Sequence, residues 1–163
     1  EDRLEDVVKR IERYVKVKEL VGLRNPAQKF NIWLSVGDYE GKTVFFDAEE
    51  IDFSMKSEEN AYPVLLNIDT KGYVTVLLPD DKSPNSRIIK DTPLRLKGHG
   101  KVEPPLGVEF LKLFAFKNKV NGIEKFAGTL IDPTEDRFIE LFEIFKGQKE
   151  WSETVSEIVT LER

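Results

Sequence analysis

"NAYPVLLNIDTKGYVTVLLP", residues 60–79, decides the fold. Two runs rich in Val, Leu and Ile bracket the polar stretch "DTKG" at 69–72. Neither run alternates cleanly between apolar and polar residues, which is the pattern of strands covered on both faces. Gly72 tolerates positive φ, so the tetrapeptide can close a hairpin. The stretch therefore reads as the central hairpin of a sandwich, and its role is burial. Fully burying one Val, Leu or Ile contributes ~1.5–3 kcal/mol, so a run of them is a large stabilising contribution.

Working outward, "KFNIWLSV" at 29–36 alternates, with Phe30, Ile32, Leu34 and Val36 on one face and Asn31, Trp33 and Ser35 on the other, as in a half-buried strand. Trp33 falls on the polar face, where it covers a sheet edge or belongs to a contact surface. "GDYEGK" at 37–42 is a turn, "TVFF" follows at 43–46, and "EIDFSMK" alternates again through Ile51, Phe53 and Met55. Beyond the hairpin, "DDKSPNS" at 80–86 reads as a polar loop, "RIIK" and "PLRLKG" as two short strands, and "GHGKVEPP" as irregular. "GVEFLKLFAFK" at 107–117 is a strongly apolar strand, "NKVNGIEKFAG" a surface loop with a short turn, and "WSETVSEIVTLE" a closing strand at a sheet edge. Short alternating runs at ~8–12-residue spacing imply a mainly antiparallel β-sandwich, Ig-like or jelly-roll-like, of about seven to nine strands.

Two helices flank it. In "EDRLEDVVKRIERYVKVKELV", residues 1–21, Leu4, Val7, Val8, Ile11, Tyr14 and Val15 recur at spacings of three and four. Glu1, Asp2, Glu5 and Asp6 place negative charge in the first turns, and Gly22 and Pro26 end the helix. The stripe either packs on the domain's own sheet, the first expectation, or docks on an upstream domain. In "PTEDRFIELFEIFKG", residues 133–147, Phe138, Leu141, Phe142 and Phe145 form the apolar stripe. Asp132 or Thr134 caps that helix, Pro133 sits near its start and Gly147 stops it. The division expected is a connector helix over 1–26 and one sandwich domain over 27–163.

The composition removes several kinds of chemistry. The chain has 163 residues, 40% of them hydrophobic and 34% charged, which suits one globular domain. Its net charge of −5 argues against a nucleic-acid partner, which needs clustered Lys and Arg. With no cysteine there is no disulfide, thiolate metal site or Cys nucleophile. No apolar run approaches the ~18 residues of a membrane span, and no secretory signal is visible. The start at Glu1 suggests a piece of a longer protein.

The single histidine, His99, lies between Gly98 and Gly100. One imidazole makes neither a His-rich metal site nor, without a converging Ser and carboxylate, a triad. A hydrogen-bonding role in a loop is the expectation. The acidic turns lack the ligand spacing of a calcium loop, and phosphate-loop, dinucleotide and zinc-protease patterns are absent. No catalytic, cofactor-binding or metal residue is assigned, and no cofactor is expected. Trp33, Tyr39, Tyr62, Tyr73 and Trp151 could make a stacking surface for glycan or peptide, although eleven phenylalanines point to aromatics serving the core.

The order of turns and strands over residues 39–118 resembles the bacterial domain-of-unknown-function 4384 family. The likeness rests on Tyr39 and Gly41 in the first turn, Ser57, then Ala61 and Tyr62 opening a strand. Asp69 to Gly72 form its hairpin, Leu77, Leu78 and Pro79 close it, and Pro105, Gly107, Glu109 and Ala115 mark the late strand. A single residue between Tyr39 and Gly41, and Pro63 within a strand, depart from the family's pattern. "RIERYVKVKELVGLRNP" also looks like the connector behind an N-terminal caspase-like peptidase in some members. Other members sit behind kinase-like domains or in exported envelope proteins.

The resemblance implies an accessory domain and carries no catalytic residues with it. A non-catalytic regulatory or protein-interaction module is therefore expected, with Leu4, Val8, Ile11, Val15 and Trp33 as contact candidates. Its partner would be an upstream domain of the same polypeptide or another protein, and weak self-association through residues 1–20 is a further expectation. The compartment is cytoplasmic if the neighbour is a caspase-like peptidase, and the envelope if a signal peptide precedes it. A glycan- or envelope-binding sandwich is the alternative, and a carboxylate-based hydrolase the second.

Overall fold

A computed structural model describes residues 2–83 and 85–163. Glu1 of the acidic first turn and Pro84 of the loop 80–86 lie outside the described residues. The hairpin forms as read: β4 (Tyr62–Ile68) and β5 (Val74–Leu78) run antiparallel. (Strands are numbered in chain order, β1 to β9.) Asp69 Oδ1 accepts from the Lys71 and Tyr73 amides at 2.8 and 3.0 Å, and Gly72 takes φ +86°. The side chain thus builds the turn, and only glycine sits in it without strain. Val64, Leu66, Ile68, Val74 and Val76 are buried toward one side of the hairpin, Leu65 and Leu78 toward the other. A register shift between Leu65 and Leu66 puts Leu78 on the opposite face from Val76.

Around it stands a six-stranded sheet in the order β2-β9-β7-β4-β5-β8. The remaining members are β2 (Val44–Phe46), β7 (Val108–Phe116), β8 (Leu130–Ile131) and β9 (Trp151–Leu161). A three-stranded sheet, β1-β3-β6, comprises β1 (Ile32–Val36), β3 (Glu50–Ser57) and β6 (Leu94–Lys101). All pairings are antiparallel except β2 with β9. The described residues therefore form a mainly β fold of nine strands and two α-helices, consistent with a β-sandwich. Three layers result: helices, large sheet, small sheet. Phe45, Phe53, Met55, Leu65, Leu113 and Ile158 fill the space between the sheets. On the other face of the large sheet, Phe114, Phe116, Phe145 and Trp151 pack together, with Phe114 and Phe145 stacked at 4.6 Å.

α2 (Asp136–Lys146) covers that second face with Phe138, Leu141 and Phe145, leaving Phe142 partly buried. Its N-cap is Glu135, with no side-chain bond; Asp132 instead accepts from the Thr134 amide and hydroxyl, shaping the turn before the helix. The capping expectation thus fails, and four others fail locally. The closing strand β9 lies inside the large sheet rather than at its edge, because β2 pairs alongside it. "RIIK" contributes one bridge, Ala61 to Ile88, rather than a strand. "GHGK" belongs to β6, where Gly98 takes φ +58° next to the register shift opposite Ile51 and Phe53. In "NKVNGIEKFAG" the short turn is present as a 3-10 helix, Ile123–Phe126, but Val120, Ile123 and Phe126 are buried beside α2 in place of the expected surface loop.

Candidate functional site

α1 (Asp2–Val21) is the element whose surroundings do not match its sequence. Its last turns are built into the domain. Val17 and Leu20 are buried in the helix-side core, and Val21 packs against it. Arg13 is 7% exposed: its Nε donates to the Lys71 carbonyl at 2.7 Å and its guanidinium lies 4.3 Å from the Tyr73 ring centre. The Tyr14 hydroxyl donates to the Thr70 carbonyl. The helix thus grips the tip of the β4–β5 hairpin, and Gly72 allows the close approach, since a Cβ there would stand 3.0 Å from Arg13 Cβ.

The helix exit is held by a buried lysine. Lys112, in the middle of β7, is fully buried and points to the helix layer. Its Nζ donates to the Val21 and Leu23 carbonyls, both at 2.9 Å, and to Glu153 Oε2 at 2.5 Å. All three ammonium donors are used, one on the carbonyl of the last helical residue, which the helix end leaves unpaired, and one on Leu23 just beyond it. Burial pulls the Lys112 ammonium below the ordinary lysine range, and Glu153 opposes that shift. Asn25 Nδ2 to the Trp151 carbonyl (2.8 Å) and the Ser152 hydroxyl to the Phe30 carbonyl (2.5 Å) tie down the following segment.

The rest of α1 stands free. From Arg3 to Glu12 every side chain is exposed, a projection of roughly 15 Å at ~1.5 Å per residue. Leu4 is 71% exposed, Val8 46%, Ile11 58% and Val15 59%. The expectation that this stripe packs on the domain's own sheet is thus overturned, with Val7 also exposed and Tyr14 alone reaching the domain. The reason is angular. Arg13, Val17 and Leu20 point to one side, and Leu4, Val8, Ile11 and Val15 to the opposite side, roughly 180° away at ~100° per residue. Between the projecting turns and the hairpin tip lies a hollow of about 420 Å³ lined by Arg3, Arg10, Arg13 and Lys71, with Asp6 and Tyr73.

Other chemistry is less developed. His99 sits on β6, not in a loop, with Nε2 3.0 Å from the Leu77 carbonyl and 2.9 Å from Asp80 Oδ2. It does have a hydrogen-bonding role, clasping the small sheet to the exit of β5. Among the described residues, no group of three or more His, Asp or Glu is placed to hold a metal ion, and no helix is long and apolar enough to cross a membrane. Glu109 lines a cleft of about 80 Å³ between the sheets, its carboxyl raised by burial and accepting from Asn67. The cleft is otherwise largely apolar, and the Oδ1 of nearby Asp69 serves the turn amides.

Of the five aromatic candidates, Trp151 is buried, Tyr62 lies under Arg87, and Tyr73 lies under Arg13. Trp33 is 47% exposed on the outer face of the small sheet, opposite Lys56, whose ammonium lies 5.8 Å from its ring centre. Tyr39 lines a hollow on the same face with Ser35, Asp52, Ser54, Arg95 and Lys97. Sequence reading missed Arg13 and Lys112 as the residues that orient α1. A lone lysine inside "VEFLKLFAF" was the available signal for one of them. No family model, curated protein or solved structure matches the chain.

Proposed function

We propose that the chain is a non-catalytic protein-interaction module, an accessory domain of the kind its likeness to the domain-of-unknown-function 4384 family implies. It holds α1 by one face and offers the opposite face to a protein partner. One observation carries this reading: the apolar stripe of α1 is exposed on the side turned away from its own domain. A solvated helix end of ten residues is marginal by itself, and four large apolar side chains on one face gain stability only when covered. The anchoring of the same helix by Arg13, Tyr14 and Lys112 supports the reading, since a fixed helix loses less freedom on binding. The resemblance implies a neighbouring domain in the same polypeptide, such as a caspase-like peptidase, beside which such a module would work.

The test is a photo-crosslinking side chain at Ile11, compared with one at the equally exposed Ile139 on α2 (58% and 57% exposed), in cells that make the protein natively. Protein adducts at position 11 and none at 139 are expected. Equal labelling, or none at 11, overturns the reading. A glycan-binding surface is the second reading, favoured by Trp33 and Tyr39 beside the polar hollow of the small sheet. Retention on bacterial cell-wall polysaccharide that Trp33→Ala abolishes would establish it, and no retention would remove it.

A further inference from the structure

The occupant of the free face can be inferred from its spacing and charge. We infer that it is α1 of a second copy, laid alongside in parallel as a short two-stranded coiled coil; this rests on the interaction reading above. Leu4, Val8, Ile11 and Val15 are separated by four, three and four residues. That is the d-a-d-a seam of two heptads, with Val8 and Val15 at a and Leu4 and Ile11 at d; β-branched a positions with Leu at d favour two strands, a pattern that Leu4 meets and Ile11 departs from. Lys18 takes the next d position and Gly22 closes the helix, so the seam ends where the helix becomes part of the domain.

The flanks set the direction. Glu5, Glu12 and Glu19 occupy successive e positions on one side of the seam, with Lys9 and Lys16 one step further out and Lys9 paired with Glu5 at 3.3 Å. On the other side lie Val7 and Tyr14 at g, with Arg3 and Arg10 just beyond them. In a parallel pair the e side of one helix meets the g side of the other, so the acidic column of each copy faces the arginine-bearing flank of its partner. An antiparallel pair would set glutamates against glutamates and arginines against arginines. The body of the domain lies on the opposite side of the helix from the seam, with the hairpin tip beside the arginine-bearing flank where Arg13 and Tyr14 reach it, so two copies place their domains outward and leave Leu4, Val8, Ile11 and Val15 clear.

Two heptads bury less than the ~800 Å² per partner of a standard interface. The pairing is therefore weak by itself and concentration-dependent, strengthened wherever anything else brings two copies together.

The chain has no cysteine, so one introduced thiol reports a single pair of positions. In parallel pairing Leu4 lies against Leu4 of the other copy. Leu4→Cys should then form a disulfide-linked dimer under mild oxidation, while an equimolar mixture of Leu4→Cys and Val15→Cys gives the two homodimers and not the mixed one. Sedimentation of the unmodified chain should show a mass rising from 18.8 kDa toward twice that with concentration. Ile11→Glu should abolish the rise while leaving the fold's circular dichroism and melting unchanged. A monomer at every concentration, or predominance of the mixed 4–15 dimer, overturns the parallel pairing. Adducts at position 11 that contain only a different protein would overturn it too, and would leave the interaction reading standing.

Discussion

Lys112→Met is the substitution that bears most directly on how α1 is held. Methionine keeps the length and apolar stem of lysine, so the core loses little volume. What disappears is one ammonium with its bonds to the Val21 and Leu23 carbonyls and to Glu153. Breaking a buried ion pair from one side costs about 3–5 kcal/mol, because the other charge is left without its partner. Glu153 is 12% exposed and can turn partly to water, which places the loss near 3 kcal/mol. The two orphaned carbonyls add about 1–3 kcal/mol each if they stay dry, and nothing if the helix end lifts and hydrates. The expected outcome is a loss of about 3–5 kcal/mol together with release of α1. In urea, where small domains change by ~1–3 kcal/mol per molar, the midpoint should fall by roughly 1–5 M. Backbone hydrogen exchange should quicken first over residues 13–21. Adding Glu153→Gln removes the unpaired charge and should restore part of the loss. A Lys112→Met variant within about 1 kcal/mol of the parent, or one with unchanged α1 exchange, would refute this account of the anchor.

Three further outcomes follow from the same geometry. Leu66→Asp sets a charge among fully buried side chains of the central hairpin; a cost of several kcal/mol against a total of ~5–15 should leave the domain unfolded in a thermal melt. Gly72→Ala forces φ +86° on a side chain and sets its Cβ against Arg13; a loss of about 1–2 kcal/mol, with faster exchange in α1, is expected by urea denaturation and hydrogen exchange. Glu109 has its carboxyl raised by burial first, with Asn67 opposing. The folded state therefore holds that proton more tightly, and stability falls as pH rises from the free-carboxylate value of ~4.3 through the folded one. Glu109→Gln should stabilise the domain at neutral pH, and the gain should vanish below about pH 4 in melts across pH.

The central hairpin was legible because burial on both faces erases alternation, and the chain shows that directly in "YPVLLNI" and "VTVLL". Pairing partners were not: nothing in "WSETVSEIVTLE" says that Val44–Phe46 will lie parallel to it and take it off the edge. The misread "NKVNGIEKFAG" did carry a signal, with Val120, Ile123 and Phe126 three residues apart, but glycine and asparagine masked it. For α1 the sequence displays an apolar stripe, and hydropathy assigns that stripe to the protein's own core. The docked face instead includes Arg13, a residue that hydropathy sends to water. Its stem packs, its guanidinium stacks on Tyr73, and its Nε meets a carbonyl of a turn 58 residues away. Such a contact depends on where the hairpin tip ends up, which periodicity within the helix cannot convey.

Which face of α1 is covered in the isolated chain can be measured directly. Because cysteine is absent, single thiols at Val8, Ile11, Val15, Val17 and Leu20 can each be timed with a small thiol reagent, at concentrations low enough to keep the chain monomeric. The first three should react nearly as fast as in the urea-unfolded chain. Positions 17 and 20 should be slower by a factor of about 100 or more, as local opening of a packed helix would require. Protection at 8, 11 and 15 equal to that at 17 and 20 would mean that the stripe lies against its own domain, and would contradict the account.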